Sequence, residues 1–156
     1  GTNFPEPKRF ATKGEYVPSL TAEGKMSKTV EGSYINLTDS LEEIKSKIAR
    51  VPTDLGQGQE ITGGVKTLFD FVELFEGKEK RENLEKEYRG IGVRYSEIKE
   101  QLSQAIFSEL DPIQKRRAEL EKDSKYIDRV IREGAERARK VVRQTVAEVR
   151  SKMGLA

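Results

Sequence analysis

The sequence predicts a mainly α protein, a helical bundle preceded by a short irregular N-terminal segment. Three observations carry that expectation. From about residue 38 onward, apolar residues recur at steps of three and four, the period of one helix face. Residues 1–33 are broken by prolines and glycines and show no such period. Hydrophobic residues make up 35% and charged residues 36% of the 156 positions, and the apolar ones cluster instead of being diluted as in a disordered chain. That length suits one domain, or one and a fraction, with a buried core.

Within the first segment, "EYVPSL" reads as extended, with Pro18 confining it to an edge or a strand end. The helices begin at about Thr38. In "TDSLEEIKSKIAR", Leu41, Ile44, Lys45 and Ile48 share a side, Asp39 or Ser40 can be the N-cap, and the Ser40/Glu43 spacing fits a capping box. Pro52 ends this helix, and "TDLGQGQEITGG" is a loop. Val65, Leu68, Phe69, Val72 and Phe75, widened by Phe71 and Leu74, predict the most buried helix over 64–75, closed by Gly77. "KEKRENLEKEY" has only Leu84 and Tyr88 as anchors and predicts a short, exposed helix. A longer helix from about Tyr95 points Ile98, Leu102, Ala105, Ile106 and Leu110 inward. Asp111-Pro112 is expected to interrupt it, as a new start or a kinked continuation.

The last helix, about 124–153, has the clearest stripe: Ile127, Val130, Ile131, Ala135, Ala138, Val141, Val142, Thr145, Val146 and Val149. Small residues at its middle (Gly134, Ala135, Ala138) would admit a neighbouring helix closely. Asp128/Arg132, Glu133/Arg137, Glu136/Lys140 and Glu148/Lys152 are acid-before-base pairs four apart, each worth roughly 0.2–0.5 kcal/mol when exposed. They are expected to occupy much of the basic face. Arg129, Arg139, Arg143 and Arg150 have no acid four residues before them.

Composition excludes several chemistries. Without Cys there is no disulfide and no thiolate metal site, which fits a reducing compartment without demanding one. Without His, the chain cannot host a Ser-His-Asp or Cys-His system of its own. No apolar run approaches a membrane span and no signal-peptide pattern opens the chain. Its start, Gly-Thr-Asn-Phe-Pro, lacks Met and points to an added or processed beginning. Net charge is +2, but residues 111–156 carry 13 basic and 8 acidic side chains against 16 and 19 in residues 1–110. The last third is thus +5 on a remainder of −3, which points to a polyanionic partner at that end; a solvated helix face reads the same.

One short segment stands apart. Gly24 and Gly32 bracket Lys25-Met26-Ser27-Lys28-Thr29, two lysines three apart with hydroxyls between and beyond them. A mobile, Gly-flanked segment with compact ammonium charges suits phosphate, although the G-x-x-x-x-G-K-[ST] spacing is absent and a plain surface loop would read alike.

Lys25-Met26-Ser27-Lys28-Thr29 resembles the KMSKS signature of the class I aminoacyl-tRNA synthetases, with Thr29 for the last Ser. "VPSL", "GKMSKT", "INLTDSLEEIKSKI", "GGVKTLFDFVELF", "LEKEYRG", "YSEIKEQLSQAIFSELDPIQKRRAEL" and "VIREGAERARKVVRQTVAEVRSKMGL" then follow in order. From about Tyr16 onward the chain is similar to the C-terminal half of the bacterial-type tryptophanyl-tRNA synthetases. "LDPIQ" and "REGAERAR" look more like the tryptophanyl than the tyrosyl branch.

The resemblance implies two parts. Residues 1–37 would be the remnant of a Rossmann-type catalytic domain carrying the phosphate loop, and residues 38–156 the helical, anticodon-binding domain. It implies an enzyme, a ligase that uses ATP with magnesium to activate tryptophan and then charges tryptophan tRNA in the cytoplasm. Lys28 would bear most of the catalytic role and Lys25 would assist. Lys25, Met26, Ser27, Lys28 and Thr29 would meet ATP, and Gly24 and Gly32 would let the loop open and close. Lys115, Arg116, Arg117, Arg129, Arg139 and Arg143 are candidates for tRNA phosphates. The family's HIGH signature needs histidines and this chain has none, so that signature and the tryptophan pocket would lie in an N-terminal half outside it. This chain alone would then bind neither ATP nor a metal and would be inactive, while the full-length parent would be a homodimer with no membrane partner. Two other readings stay open: a free-standing helical RNA-binding module without chemistry, and a plain helical interaction protein.

Overall fold

The computed structural model describes residues 4–10 and 14–155. Among them are five α-helices and no strand: α1 (Leu41–Ala49), α2 (Gly63–Glu76), α3 (Lys78–Arg89), α4 (Tyr95–Glu121) and α5 (Ser124–Lys152). They divide into two compact units, residues 14–114 in one and residues 4–10 with 115–155 in the other, so the boundary falls inside α4.

The core belongs to the first unit. Ile44 and Ile48 of α1, Val65, Leu68, Phe69, Phe71 and Val72 of α2, Leu84 and Tyr88 of α3, and Ile98, Leu102, Ile106 and Leu110 of α4 are buried together with Leu20 and Val51. α2 contributes most, as its double-width stripe requires. Phe69 meets Tyr88 edge to face, centroids 6.0 Å apart, an arrangement worth about 0.5–1.5 kcal/mol beyond area burial.

The element ends follow local chemistry. Ser40 caps α1: its hydroxyl accepts from the Glu43 N–H while the Glu43 carboxylate accepts from the Ser40 N–H at 2.7 Å, a complete capping box. At the other end of α1, the Lys99 ammonium donates to Ala49 O (2.9 Å) and Val51 O (2.8 Å), answering carbonyls that the helix leaves open. Gly77 ends α2 at φ +94°, a conformation suited to glycine. The 52–62 loop is fixed by side chains from distant helices: Asp54 accepts from Tyr88 Oη (2.5 Å), Tyr95 Oη (2.7 Å) and the Gly56 N–H (2.8 Å). These bonds, the Tyr88 hydroxyl first, hold the Asp54 carboxyl below its ordinary value against the opposing effect of burial.

Two expectations need correction. Asp111-Pro112 does not break α4 into two helices: of the two alternatives the new start is excluded and a continuation forms, with α4 running through Pro112 to Glu121. Pro112 and Ser108 are both exposed, so the Ser108 carbonyl that loses its donor faces water, which lowers the cost of an interior proline. Leu110 is buried, and Gln114 donates to Leu37 O (3.0 Å) and Asp39 O (2.9 Å), holding the helix on both sides of the proline.

The second correction concerns α5. Its stripe is real, but none of its residues is buried; Ile131 is 64% and Val141 66% exposed, and no heavy atom from outside the glycine's own surroundings lies within 4 Å of a Cβ placed on Gly134. Periodicity reports that a face can be buried, not that this chain covers it.

Candidate functional site

The Lys-Met-Ser-Lys-Thr segment sits in the first unit as a hydrogen-bonded loop. Pro18 forms an isolated antiparallel bridge with Lys25, and the Met26 N–H donates to Val17 O at 2.9 Å. The extended reading of "EYVPSL", with Pro18 at its end, thus survives as a single bridge. Between these arms the chain reverses over Ser19–Gly24: the Ser19 N–H donates to Gly24 O (3.0 Å), the Thr21 N–H to Ser19 Oγ (3.1 Å), and Ala22 and Gly24 both take positive φ. Leu20, 2% exposed, anchors the turn in the core.

Beyond the bridge, side chains separate by direction. Met26 packs against the core while Lys25 and Lys28 stay exposed on either side of Ser27. The Ser27 and Thr29 hydroxyls lie 2.9 Å apart. Ser33, fully buried, ties the far side of the loop back to Ser27. Among the described residues neither lysine ammonium has an ion-pair or hydrogen-bond partner.

A cavity of about 390 Å³ opens here, lined by Glu15, Tyr16, Val17, Lys25, Met26, Ser27, Lys28, Tyr34 and Ile35. Two cations, a hydroxyl and one carboxylate line it together with aromatic and aliphatic walls, and the excess of cations suits an anionic group attached to an apolar body. One wall is braced from behind. Lys47 lies over the Tyr34 ring, 5.3 Å from its centroid, and also pairs with the buried Asp39 carboxylate. The Asn36 N–H donates to the same carboxylate at 2.8 Å.

Burial alone would raise the Asp39 pKa, but the Lys47 and Asn36 bonds outweigh it and the net shift is downward from 3.8. A carboxyl lowered in the folded state adds stability above its unfolded value and loses it as pH falls through the folded one. Unfolding by urea between about pH 6 and pH 3 should therefore show a falling midpoint that flattens below pH 4 in Asp39→Asn, which also starts lower. Equal pH slopes in both proteins would contradict this.

A second cavity, about 530 Å³, lies between Tyr16, Pro18 and the α2–α3 turn. Its guanidinium is already engaged: Arg81 meets Asp70 (2.6 Å), Glu73 (2.7 Å) and Glu85 (2.8 Å). It has no unpaired cation comparable with Lys25 and Lys28. No cluster of three or more metal-ligating side chains occurs among the described residues.

The predicted RNA-facing residues all fall in the second unit and all are exposed: Lys115, Arg116 and Arg117 on the end of α4, and Arg129, Arg139 and Arg143 on α5. Arg116 pairs with Glu119 (3.0 Å) and Arg117 with Glu121 (2.7 Å), while Arg129 lies over the Tyr126 ring at 5.4 Å. On α5 the four expected acid–base pairs do not close, since none of those side chains makes an ion pair among the described residues. Exposed pairs gain too little to fix two long side chains. This frees cations that the spacing had assigned to helix support. At about 100° per residue, Lys125, Arg129, Arg132, Arg139, Lys140, Arg143 and Arg150 fall within an arc of about 100°, opposite the apolar stripe and interrupted by one acid, Glu136. Arg132 and Lys140 were hidden by their apparent acidic partners, and turning the helix wheel would have found them.

Residues 1–111 match the family described as tRNA synthetases class I (W and Y). The tryptophan–tRNA ligase of Porphyromonas gingivalis is 36% identical over 158 residues, which cover 97% of this chain and 47% of that protein. The corresponding ligase of Clostridium tetani is 33% identical over 96% of this chain and 45% of its own length. That of Deinococcus radiodurans is 32% identical over 99% and 48%. The chain spans about half the length of the curated relatives it matches.

Proposed function

The chain belongs to the class I tRNA synthetases of the tryptophan and tyrosine branch, and on that premise we propose that it is the C-terminal portion of a tryptophan–tRNA ligase. Its N-terminal segment, residues 1–37, is the end of the catalytic domain and supplies the phosphate loop. Residues 38–156 are the helical domain that meets tryptophan tRNA. The relatives' shared activity and the loop's two ammonium groups, which pair with none of the described residues, support this reading, and the second is the observation that carries it.

In the reaction, the tryptophan carboxylate attacks the α-phosphorus of ATP. A bond forms from carboxylate oxygen to phosphorus, the bond to the β-bridging oxygen breaks, and pyrophosphate leaves with the electron pair. Transfer to the tRNA's terminal ribose hydroxyl then releases AMP. Charge grows on the departing diphosphate, so a cation aimed there stabilises the transition state more than bound ATP. Lys28 takes that position and Lys25 shares the triphosphate. Ser27 and Thr29 offer hydroxyls, Met26 fixes the loop's inner side, and the positive φ of Gly24 and Gly32 sets its two ends. Two ammonium groups, a hydroxyl and the Glu15 carboxylate line the cavity, and the two cations suit phosphate. The tryptophan pocket belongs to protein outside this chain, and the whole ligase works as a cytoplasmic homodimer. Among the described residues no helix is long and apolar enough to cross a membrane.

RNA contact rests on the α5 arc together with Lys115, Arg116 and Arg117. A polyanion held by exposed cations binds with a steep salt dependence. The 156-residue chain should bind tryptophan tRNA with a log K that falls linearly with log salt, and Arg139→Ala and Arg143→Ala should each flatten that slope by about 1. Unchanged slopes would remove α5 from the interface. The basic arc also suits a stand-alone RNA-binding module, which needs no nucleotide chemistry. An in-phase upstream reading frame for a nucleotide-binding domain would exclude that alternative.

A further inference from the structure

We propose that Ser33 is the positioning residue of the Lys25–Lys28 loop, and that its hydroxyl sets the backbone from which both ammonium groups reach one polyphosphate. The inference rests on the phosphate-loop reading above. Ser33 is 0% exposed, and every polar group it carries is engaged. Its hydroxyl donates to Ser27 O at 2.6 Å and accepts from the Ser27 N–H at 3.3 Å. Its own N–H donates to Val30 O (3.2 Å) and its carbonyl accepts from the Leu20 N–H (3.0 Å). One buried side chain thereby holds both backbone groups of Ser27, one of the two residues between the lysines.

The geometry gives that hydroxyl a role beyond filling the core. Lys25 and Lys28 carry like charges on flexible stems, and without constraint they would diverge. Their convergence on one phosphate chain depends on the backbone directions at 25 and 28, which meet at Ser27. Gly32, at φ +74°, turns the chain so that Ser33 points back into the loop. The Pro18–Lys25 bridge holds the near side, and Ser33 closes the far side. An apolar residue at 33 would take this partner from the Ser27 N–H, leave the Ser27 carbonyl with the Val30 N–H at 3.3 Å, and loosen the loop's far side. A loop fixed before the ligand arrives loses less freedom on binding, and small displacements of a charged group weaken it severely.

The test is calorimetric titration of a full-length ligase carrying this chain with tripolyphosphate, alongside amide hydrogen exchange. Ser33→Ala removes the hydroxyl. Ser33→Cys keeps nearly the same size with a much weaker hydrogen-bonding group, and serves if the alanine variant does not fold. The expected result is binding weaker by about tenfold to a hundredfold, with faster exchange at the Ser27 amide and unchanged exchange at Ile44 and Leu102. Wild-type affinity in a folded variant would overturn the inference and leave the phosphate-loop reading standing. Faster exchange throughout the core, with no excess at Ser27, would also overturn it, leaving Ser33 a structural residue only. If the unaltered ligase gave no binding, or if its Lys28→Ala variant bound tripolyphosphate as well as the parent, the phosphate-loop reading would fall and the inference with it.

Discussion

In a full-length ligase carrying this chain, Lys28→Ala should slow adenylate formation by about 10²–10³-fold, the loss typical for one preorganised donor aimed at developing charge. ATP affinity should fall by much less. Ground-state ATP already spreads its charge over three phosphates and surrounding water, whereas the transition state concentrates new charge on the leaving diphosphate. An interaction made mainly there lowers the rate constant without a matching loss in binding. The structure supports the assignment through exposure: the Lys28 ammonium lines the cavity and makes no ion pair with any described carboxylate, Glu15 of the same lining included. Arg81 gives the contrast, since three carboxylates surround it and raise its pKa despite burial. Rapid-quench measurement of adenylate formation with a parallel ATP titration would separate the two quantities. Equal losses in both would mean that Lys28 binds substrate and transition state alike.

The largest effect on folding is expected from Gly64→Ala. A Cβ there would lie 1.9 Å from Pro52 O and 2.8 Å from Pro52 C, backbone atoms that cannot rotate away. Pro52 follows the segment whose Val51 is buried and whose carbonyl accepts from Lys99, so it cannot retreat without breaking the α1–α4 junction. Alanine improves helix propensity by about 1 kcal/mol over glycine, yet overpacking against fixed backbone should outweigh it and leave a net loss of roughly 3 kcal/mol. The urea midpoint should drop with little change in slope. Gly134→Ala in α5, where a Cβ meets open space, should show the opposite sign, a gain of about 0.5–1 kcal/mol in helix stability. The same substitution at two helical glycines then reads packing against propensity. A stabilised Gly64→Ala protein would contradict the packing of α2 on the Pro52 turn.

Local chemistry was legible wherever one segment determined the outcome. The Ser40/Glu43 box is complete within four residues, and the α2 stripe is buried because it is wide enough to meet neighbours on two sides. Leu84 and Tyr88 are the only buried residues of α3, as two anchors in an otherwise polar helix require. What the sequence hid depends on partners distant along the chain. Asp54 meets tyrosines 34 and 41 residues away, and no spacing rule connects them. Ser33 carries no signature of its own in the sequence, because its value lies in a six-residue return to Ser27. α5 failed in the other direction. Its periodicity showed an apolar face, while burial depends on a surface that a single-helix pattern does not contain. Its acid–base spacings suggested pairs that long, solvated side chains do not form.

Loss of both ammonium charges gives the most direct test. In a full-length ligase carrying this chain, Lys25→Met with Lys28→Met should reduce charging of tryptophan tRNA by at least the factor expected for Lys28→Ala alone, with tRNA affinity and thermal midpoint close to those of the parent. Undiminished charging would mean that this loop does not handle the leaving diphosphate.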